Sequence, residues 1–180
     1  MSDCRYVVLM ASYNAWMNDK MYAAAARLSR EELVRDRGAF FGSILGTLNH
    51  IAVADTIWLQ RFAAHPPGYA ALARALDLPA PTALDMPLFE GLAELAAYRK
   101  MLDGMIGEWT GELGENDLAR TLSYTSMKGV AAQKRLASVI LHFFNHQAHH
   151  RGQATTLLYQ AGQDIGVTDL IALVPDENPF

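Results

Sequence analysis

Four long stretches of the sequence repeat their apolar residues at the spacing of an α-helix, and this pattern restricts the fold more than any other feature. The clearest stretch runs from about Phe41 to Ala63, where apolar residues recur every three or four positions along one helix face. The others cover about residues 5–28, 88–112 and 133–160. Because each such helix must bury its apolar face against another, the pattern predicts an all-α four-helix bundle.

Proline and glycine mark the segments between these helices. Five of the seven prolines lie between Ala64 and Pro87, which predicts a long connection between the second and third helices, with a helical turn or two around residues 70–76. β-Branched and aromatic residues around Lys128-Gly129 predict a small hairpin or extended loop before the fourth helix.

Composition agrees with a single globular domain over residues 1–180. The chain is 51% hydrophobic and 19% charged, with a formal net charge of −4, which is typical of a folded protein. The sequence contains no cluster of Lys and Arg, so we do not expect a nucleic-acid partner. Cys4 is the only cysteine, so an intramolecular disulfide and a CxxC site are excluded. Since neither a signal peptide nor a membrane span is recognisable, we expect a cytoplasmic protein without a membrane partner.

The stretch HFFNHQAHHRGQ, residues 142–153, contains four of the six histidines. In the predicted fourth helix the core positions alternate in steps of three and four, and Phe143, His146 and His150 follow this register. His142 and His149 fall on the polar side instead. Two imidazoles therefore occupy positions where a bundle normally places Leu, Val or Phe.

Two imidazoles four residues apart can bind one metal ion, because they lie about 6 Å apart along the helix axis. His142 and His150 are separated by about 12 Å of rise and cannot share it. A third ligand must come from elsewhere in the chain, and His50, flanked by the small Gly46 and Ala54, is the natural candidate. Three neutral imidazoles leave a coordination position open for water or substrate. The alternative is a set of hydrogen-bonded core histidines, and the pattern alone does not decide between these interpretations.

Three segments resemble the DinB-like family, a damage-inducible group of small bacterial proteins: YNAWMND in the first predicted helix, GSILGTLNHIAVADTIWLQRF in the second and NHQAHHRGQ in the fourth. They occur in the family's order, and the resemblance covers essentially the whole chain. It implies a four-helix bundle of up-down-down-up type. It also implies one divalent metal ion held by one histidine of the second helix and two of the fourth, which correspond to His50, His146 and His150.

Asp55, Trp58 and Gln153 are further candidates for lining the metal pocket. The plainer alternatives are that Trp58 packs in the core, that Asp55 pairs locally with a basic residue and that Gln153 lies on the surface. Arg151 is either an anion-binding residue or a solvated or salt-bridged one. Gly152 lowers helix stability, and we interpret it as marking the close approach of another helix.

The resemblance implies two competing functions. Some family members are metal-dependent transferases that use low-molecular-weight thiols, which implies an enzyme that holds a thiol beside an electrophilic small molecule. Metal-dependent hydrolysis is the mechanistic variant. The alternative is a non-catalytic stress-related protein with a structural or sensing metal. For the metal ion, Zn or Ni is favoured over Fe or Cu. No catalytic residue is assigned beyond the metal ligands. We also expect the protein to form a homodimer.

Overall fold

The computed structural model describes residues 3–66 and 68–177. In this part of the chain the α-helices are α1 (Asp3–Ala25), α2 (Arg30–Val34), α3 (Ile44–Ala63), α4 (Leu92–Glu112), α5 (Glu115–Leu118) and α6 (Leu136–Gln160). Strands β1 (Thr121–Thr125) and β2 (Ala131–Arg135) form an antiparallel pair before α6. The structure is thus mostly helical with a small sheet, as predicted. None of the described helices is long and apolar enough to cross a membrane.

The four long helices share one apolar core. Helices α1 and α3 each pack against both α4 and α6. Phe62 of α3 stacks on Trp109 of α4 with ring centroids 4.5 Å apart, and its ring lies 5.7 Å from that of Phe143 in α6. All three side chains are fully buried. This aromatic cluster fixes how α3 and α6 lie against each other, and therefore which of their residues meet further along the pair.

Three of the long helices begin three or four residues later than the sequence predicts. Helix α3 begins after Ser43, whose Oγ accepts a hydrogen bond from the Gly46 backbone N–H at 3.0 Å, so an N-cap sets its first turn. Helix α4 begins after Gly91. Helix α6 begins only at Leu136, because residues 133–135 pair with β1.

The long connection between α3 and α4 contains the predicted helical turns as a 3-10 helix, Ala70–Asp77. This segment packs on both helices through Leu72 and Ala75, which are fully buried. Further along, the Leu84 carbonyl oxygen lies 2.7 Å from Nδ1 of His50. The connection therefore contacts the His50 side chain directly, and the sequence of the connection does not indicate this contact.

The predicted hairpin is present and lies beside α3. Its turn includes Gly129, whose φ of 76° is a conformation that favours glycine. From β1, Tyr124 packs edge-on against Trp58 of α3 with ring centroids 5.2 Å apart. The hairpin thereby covers the face of α3 that leads from Trp58 towards His50.

Candidate metal centre

Three histidines from two helices meet between α3 and α6. One ring nitrogen from each of His50, His146 and His150 lies within 4.8 Å of the other two. Nε2 of His50 and Nε2 of His150 are 3.2 Å apart. Nitrogen ligands on one tetrahedral ion, with bonds of about 2.0–2.1 Å, lie about 3.3 Å from each other. The spacing of this pair therefore suits a shared ion, and we call the three residues the histidine triad.

Hydrogen bonds on the far side of two rings decide which nitrogen can bind a metal. The Leu84 carbonyl oxygen is 2.7 Å from Nδ1 of His50, and Oε1 of Gln153 is 2.8 Å from Nδ1 of His150. Since a carbonyl oxygen only accepts, both Nδ1 atoms carry the proton and donate. In the neutral rings both Nε2 atoms are then acceptors that face each other. A cation stabilises such an arrangement, and the residues present therefore fit a metal ion.

Burial keeps the histidine triad neutral. His50 and His150 are buried and His146 is half-buried. Loss of hydration lowers the pKa of all three imidazoles from 6.5, and that of His146 falls to about 3 with a further contribution from the neighbouring imidazoles. A neutral imidazole offers the lone pair that a metal requires. The triad is thus in its binding form at neutral pH.

Phe41 packs directly on the histidine triad. Its ring stacks on His50 with centroids 3.8 Å apart and meets His150 edge-on at 5.5 Å. Phe41 lies in the turn before the N-cap of α3, not within the helix as the sequence predicts. The two contacts hold the planes of His50 and His150 and exclude water from one side of them.

Two cavities border the histidine triad. The first has a volume of about 320 Å³, and besides His50 and His146 its lining includes Trp58, Arg61, Leu84, Tyr124, Lys128 and His142. The second has a volume of about 530 Å³, and its lining includes the whole triad together with Phe40, Phe41, Leu84, Asp85, His149 and Gln153. Both volumes are typical of small-molecule sites. The triad is therefore reachable from two sides.

Two of the three predicted pocket residues line these cavities. Trp58 is buried and lines the first cavity, and Gln153 lines the second. Asp55 lines neither: it is fully buried, forms an ion pair with Arg99 of α4 and accepts a hydrogen bond from Gln147 at 2.7 Å. Its basic partner Arg99 is 44 residues away in the chain, so the alternative prediction of a local ion pair is wrong as well. The reason is that Asp55 projects into the bundle, where α4 supplies the counter-charge.

Asp55 belongs to a buried polar network that joins the four long helices. Arg99 also forms an ion pair with Asp103 at 2.9 Å. Asn14 of α1 donates to Asp103 at 3.0 Å and accepts a hydrogen bond from Arg151 of α6. Burial raises the pKa of Asp55 to about 6, although Arg99 beside it acts in the opposite direction. Arg151 is thus a buried structural residue that contacts α1, and not the anion-binding residue that was one of its predicted alternatives.

The interpretation of Gly152 is wrong. Gly152 is exposed, and a Cβ atom at this position would meet no atom within 4 Å. Its carbonyl oxygen accepts hydrogen bonds from the hydroxyls of Thr155 and Thr156 at 3.0 and 2.9 Å. No described helix packs on this face of α6, so close approach does not explain the glycine. His142 and His149 are exposed, as predicted.

The residues around the triad that the sequence did not predict include Arg61, Leu84, Tyr124 and Lys128. The position of Arg61 could have been predicted from the sequence, because Arg61 follows His50 by about three helical turns on the same face of α3. The other three lie in the connection and the hairpin. Their position beside α3 depends on how these segments pack, which residue spacing does not show.

Long helices around a common core, with three histidines that converge between two of them, define an all-α protein with a candidate three-histidine metal centre. The DinB family model matches residues 1–176, and the chain belongs to the DinB family. It is 26% identical over 170 residues to Protein DinB of Bacillus subtilis (strain 168), which covers 94% of this chain and 92% of that protein. No solved structure gives a significant match.

Proposed function

We propose that this chain is a metal-dependent enzyme that transfers a low-molecular-weight thiol to an electrophilic small molecule. The observation that carries the proposal is a neutral histidine triad bordered by two cavities. A structural metal site has four protein ligands and is closed, whereas a catalytic one keeps a position open. Three ligands beside two cavities follow the second pattern.

The proposal includes an up-down-down-up order of the four long helices. In this order α3 and α4 run in the same direction, and α3 and α6 run in opposite directions. The supporting contacts are Asp55 with Arg99 and Phe62 with Trp109 for the first pair, and His50 with His150 and Phe62 with Phe143 for the second. The antiparallel pair brings His50 to the two histidines of α6.

Each side chain around the proposed ion has a definite task. The histidine triad supplies three nitrogen ligands, and Leu84 and Gln153 keep Nε2 of His50 and His150 unprotonated. The ion would be divalent, with Zn or Ni favoured over Fe or Cu. It would supply Lewis acidity that lowers the pKa of a thiol in contact with it. Phe41 limits access of water to His50 and His150.

Two cavities allow two substrates to bind at once. The thiol occupies one and the electrophile the other, so that the sulfur and the reacting carbon meet beside the triad. Holding both reactants in place converts a bimolecular step into an effectively unimolecular one. The thiol gives its proton to solvent, a sulfur–carbon bond forms, and the leaving group departs with the electron pair, so no oxidant is required.

Metal content per chain tests the centre directly. We expect about one divalent ion per wild-type chain by elemental analysis of tag-free protein, and its loss in His150→Ala. His65→Ala is the control, because His65 lies outside the triad and outside the lining of both cavities. A wild-type protein that stays metal-free after incubation with Zn and Ni would contradict the assignment of the ligands.

Activity is tested on the metal-loaded protein with panels of thiols and electrophiles, and products are identified by mass spectrometry. A thioether product that His150→Ala does not form supports thiol transfer. Hydrolysis of the electrophile without added thiol would favour the hydrolase variant. Stoichiometric metal without turnover of either kind would favour the structural or sensing alternative.

A further inference from the structure

The first cavity has a positively charged wall. Arg61 of α3 lies between two aromatic rings, with its guanidinium carbon 4.6 Å from the ring centre of Trp58 and 4.9 Å from that of Tyr124. It donates a hydrogen bond to the Thr125 carbonyl oxygen at 2.8 Å. Lys128, in the hairpin turn, lines the same cavity.

No protein carboxylate balances this charge in the part of the chain that the structure describes. Neither Arg61 nor Lys128 forms an ion pair there, and the lining of the first cavity includes no Asp or Glu. Asp85 lies on the second cavity instead. Arg61 is half-buried, and a half-buried cation without a counter-ion is unfavourable. A ligand anion in the cavity would remove that cost.

We infer that the first cavity selects thiols that carry a carboxylate, which binds Arg61 and Lys128 while the sulfur reaches the histidine triad. The inference rests on the proposed function and adds the chemical class of the thiol. Trp58 and Tyr124 hold the guanidinium plane in place, so its N–H groups are preorganised for a carboxylate. The same positive potential favours a thiolate over a thiol. The phenyl rings and Asp85 of the second cavity suit an uncharged electrophile.

Three small thiols of different charge test the selection on cobalt(II)-loaded, full-length protein: 3-mercaptopropionate, 2-mercaptoethanol and cysteamine. The near-ultraviolet absorption between sulfur and cobalt reports binding. We expect 3-mercaptopropionate to bind roughly tenfold more tightly than 2-mercaptoethanol, with the advantage decreasing at high salt. Lys128→Met and Arg61→Gln should each reduce this ratio, because the loss of a positive charge weakens binding of the carboxylate-bearing thiol more than binding of 2-mercaptoethanol. Lys134→Met, an exposed change in the same hairpin outside the cavity, should not alter it.

A second measurement needs no metal. In a Trp16→Phe background, the remaining tryptophans are the fully buried Trp109 and Trp58, which lines the cavity. Iodide is an anionic quencher and acrylamide a neutral one, and Lys128→Met should lower the ratio of iodide to acrylamide quenching, with Arg61 retaining part of the positive charge beside Trp58.

The two measurements separate the possible failures. The inference would be overturned if thiol affinity did not depend on thiol charge and the affinity ratio were the same in wild type and Lys128→Met. That result would not contradict the metal centre. Absence of cobalt or thiol binding would contradict the proposed function. In that case iodide quenching that does not respond to Lys128→Met would also overturn the anion site.

Discussion

At the scale of single residues, the centre depends on hydrogen bonds that select one nitrogen of an imidazole. Gln153 lies on α6 one turn after His149 and accepts from Nδ1 of His150 at 2.8 Å. Without this acceptor the proton of His150 is free to move to Nε2, which then cannot bind a metal. Gln153 thus acts through His150 and is a positioning residue.

Removing this acceptor should weaken metal binding without abolishing it. Gln153→Leu is expected to lower zinc affinity by about 10- to 100-fold, the usual effect of losing a partner of a ligating histidine. Gln153→Glu should restore the affinity, since a carboxylate also accepts from Nδ1. Competition with a chromophoric chelator measures both, and Gln160→Leu on the exposed end of α6 is the control. Equal affinities for Gln153→Leu and wild type would show that the hydrogen bond has no such role.

The buried imidazoles also predict how the metal-free protein responds to acid. The folded pKa of His146, about 3, lies below the unfolded value of 6.5, so the unfolded state binds more protons between these values. The free energy of unfolding should therefore fall as pH falls below about 6.5, by at most about 1.4 kcal/mol per pH unit from each such histidine.

Urea unfolding of chelator-treated protein between pH 7 and pH 5 measures this slope. The comparison is with His146→Phe, in which the contribution of His146 is absent and that of Asp55, whose raised pKa acts in the opposite direction, is retained. We expect a shallower decrease, or an increase, in the variant. Parallel curves would show that His146 is hydrated and titrates normally.

At the scale of elements, the sequence predicts what local periodicity determines and misses what packing determines. The long helices follow from apolar spacing, and the register of α6 correctly separates His146 and His150 from the exposed His142 and His149. Helix starts differ where an N-cap or a strand pairing intervenes. The partner of Asp55 could not be predicted, because no local feature relates it to Arg99, 44 residues away.

This ion pair leads to a prediction about how the helices hold together. Arg99→Met would leave Asp55 and Asp103 buried without their counter-charge, and such a change typically costs about 3–5 kcal/mol. Chemical unfolding followed by circular dichroism measures the loss. Lys100→Met, the exposed neighbour on α4, should change stability by less than about 0.5 kcal/mol. A loss as small for Arg99→Met as for Lys100→Met would indicate that the network contributes little.

At the scale of the whole molecule, a bound metal ion is either required for folding or adds stability to a fold that forms without it. The proposed ligands His50 and His150 are one hundred residues apart in the chain, so an ion bound between them would link distant segments. Independent contacts already join the same helices, however. The aromatic cluster around Phe62 and the network around Arg99 connect α3 with α4 and α6 without any metal.

Chelation should therefore leave the protein folded but less stable. We expect an unchanged helical circular dichroism signal after metal removal, and a cooperative thermal transition at a lower temperature. Restoring zinc at about one hundred times its dissociation constant should add about 2.7 kcal/mol by mass action. His150→Ala should melt at the same temperature with and without zinc, whereas His65→Ala, a change outside the triad and both cavities, should respond to zinc like wild type. Loss of the helical signal on chelation would instead assign the ion a structural role, because the apolar core and the buried network would then be insufficient to keep α3 and α6 together.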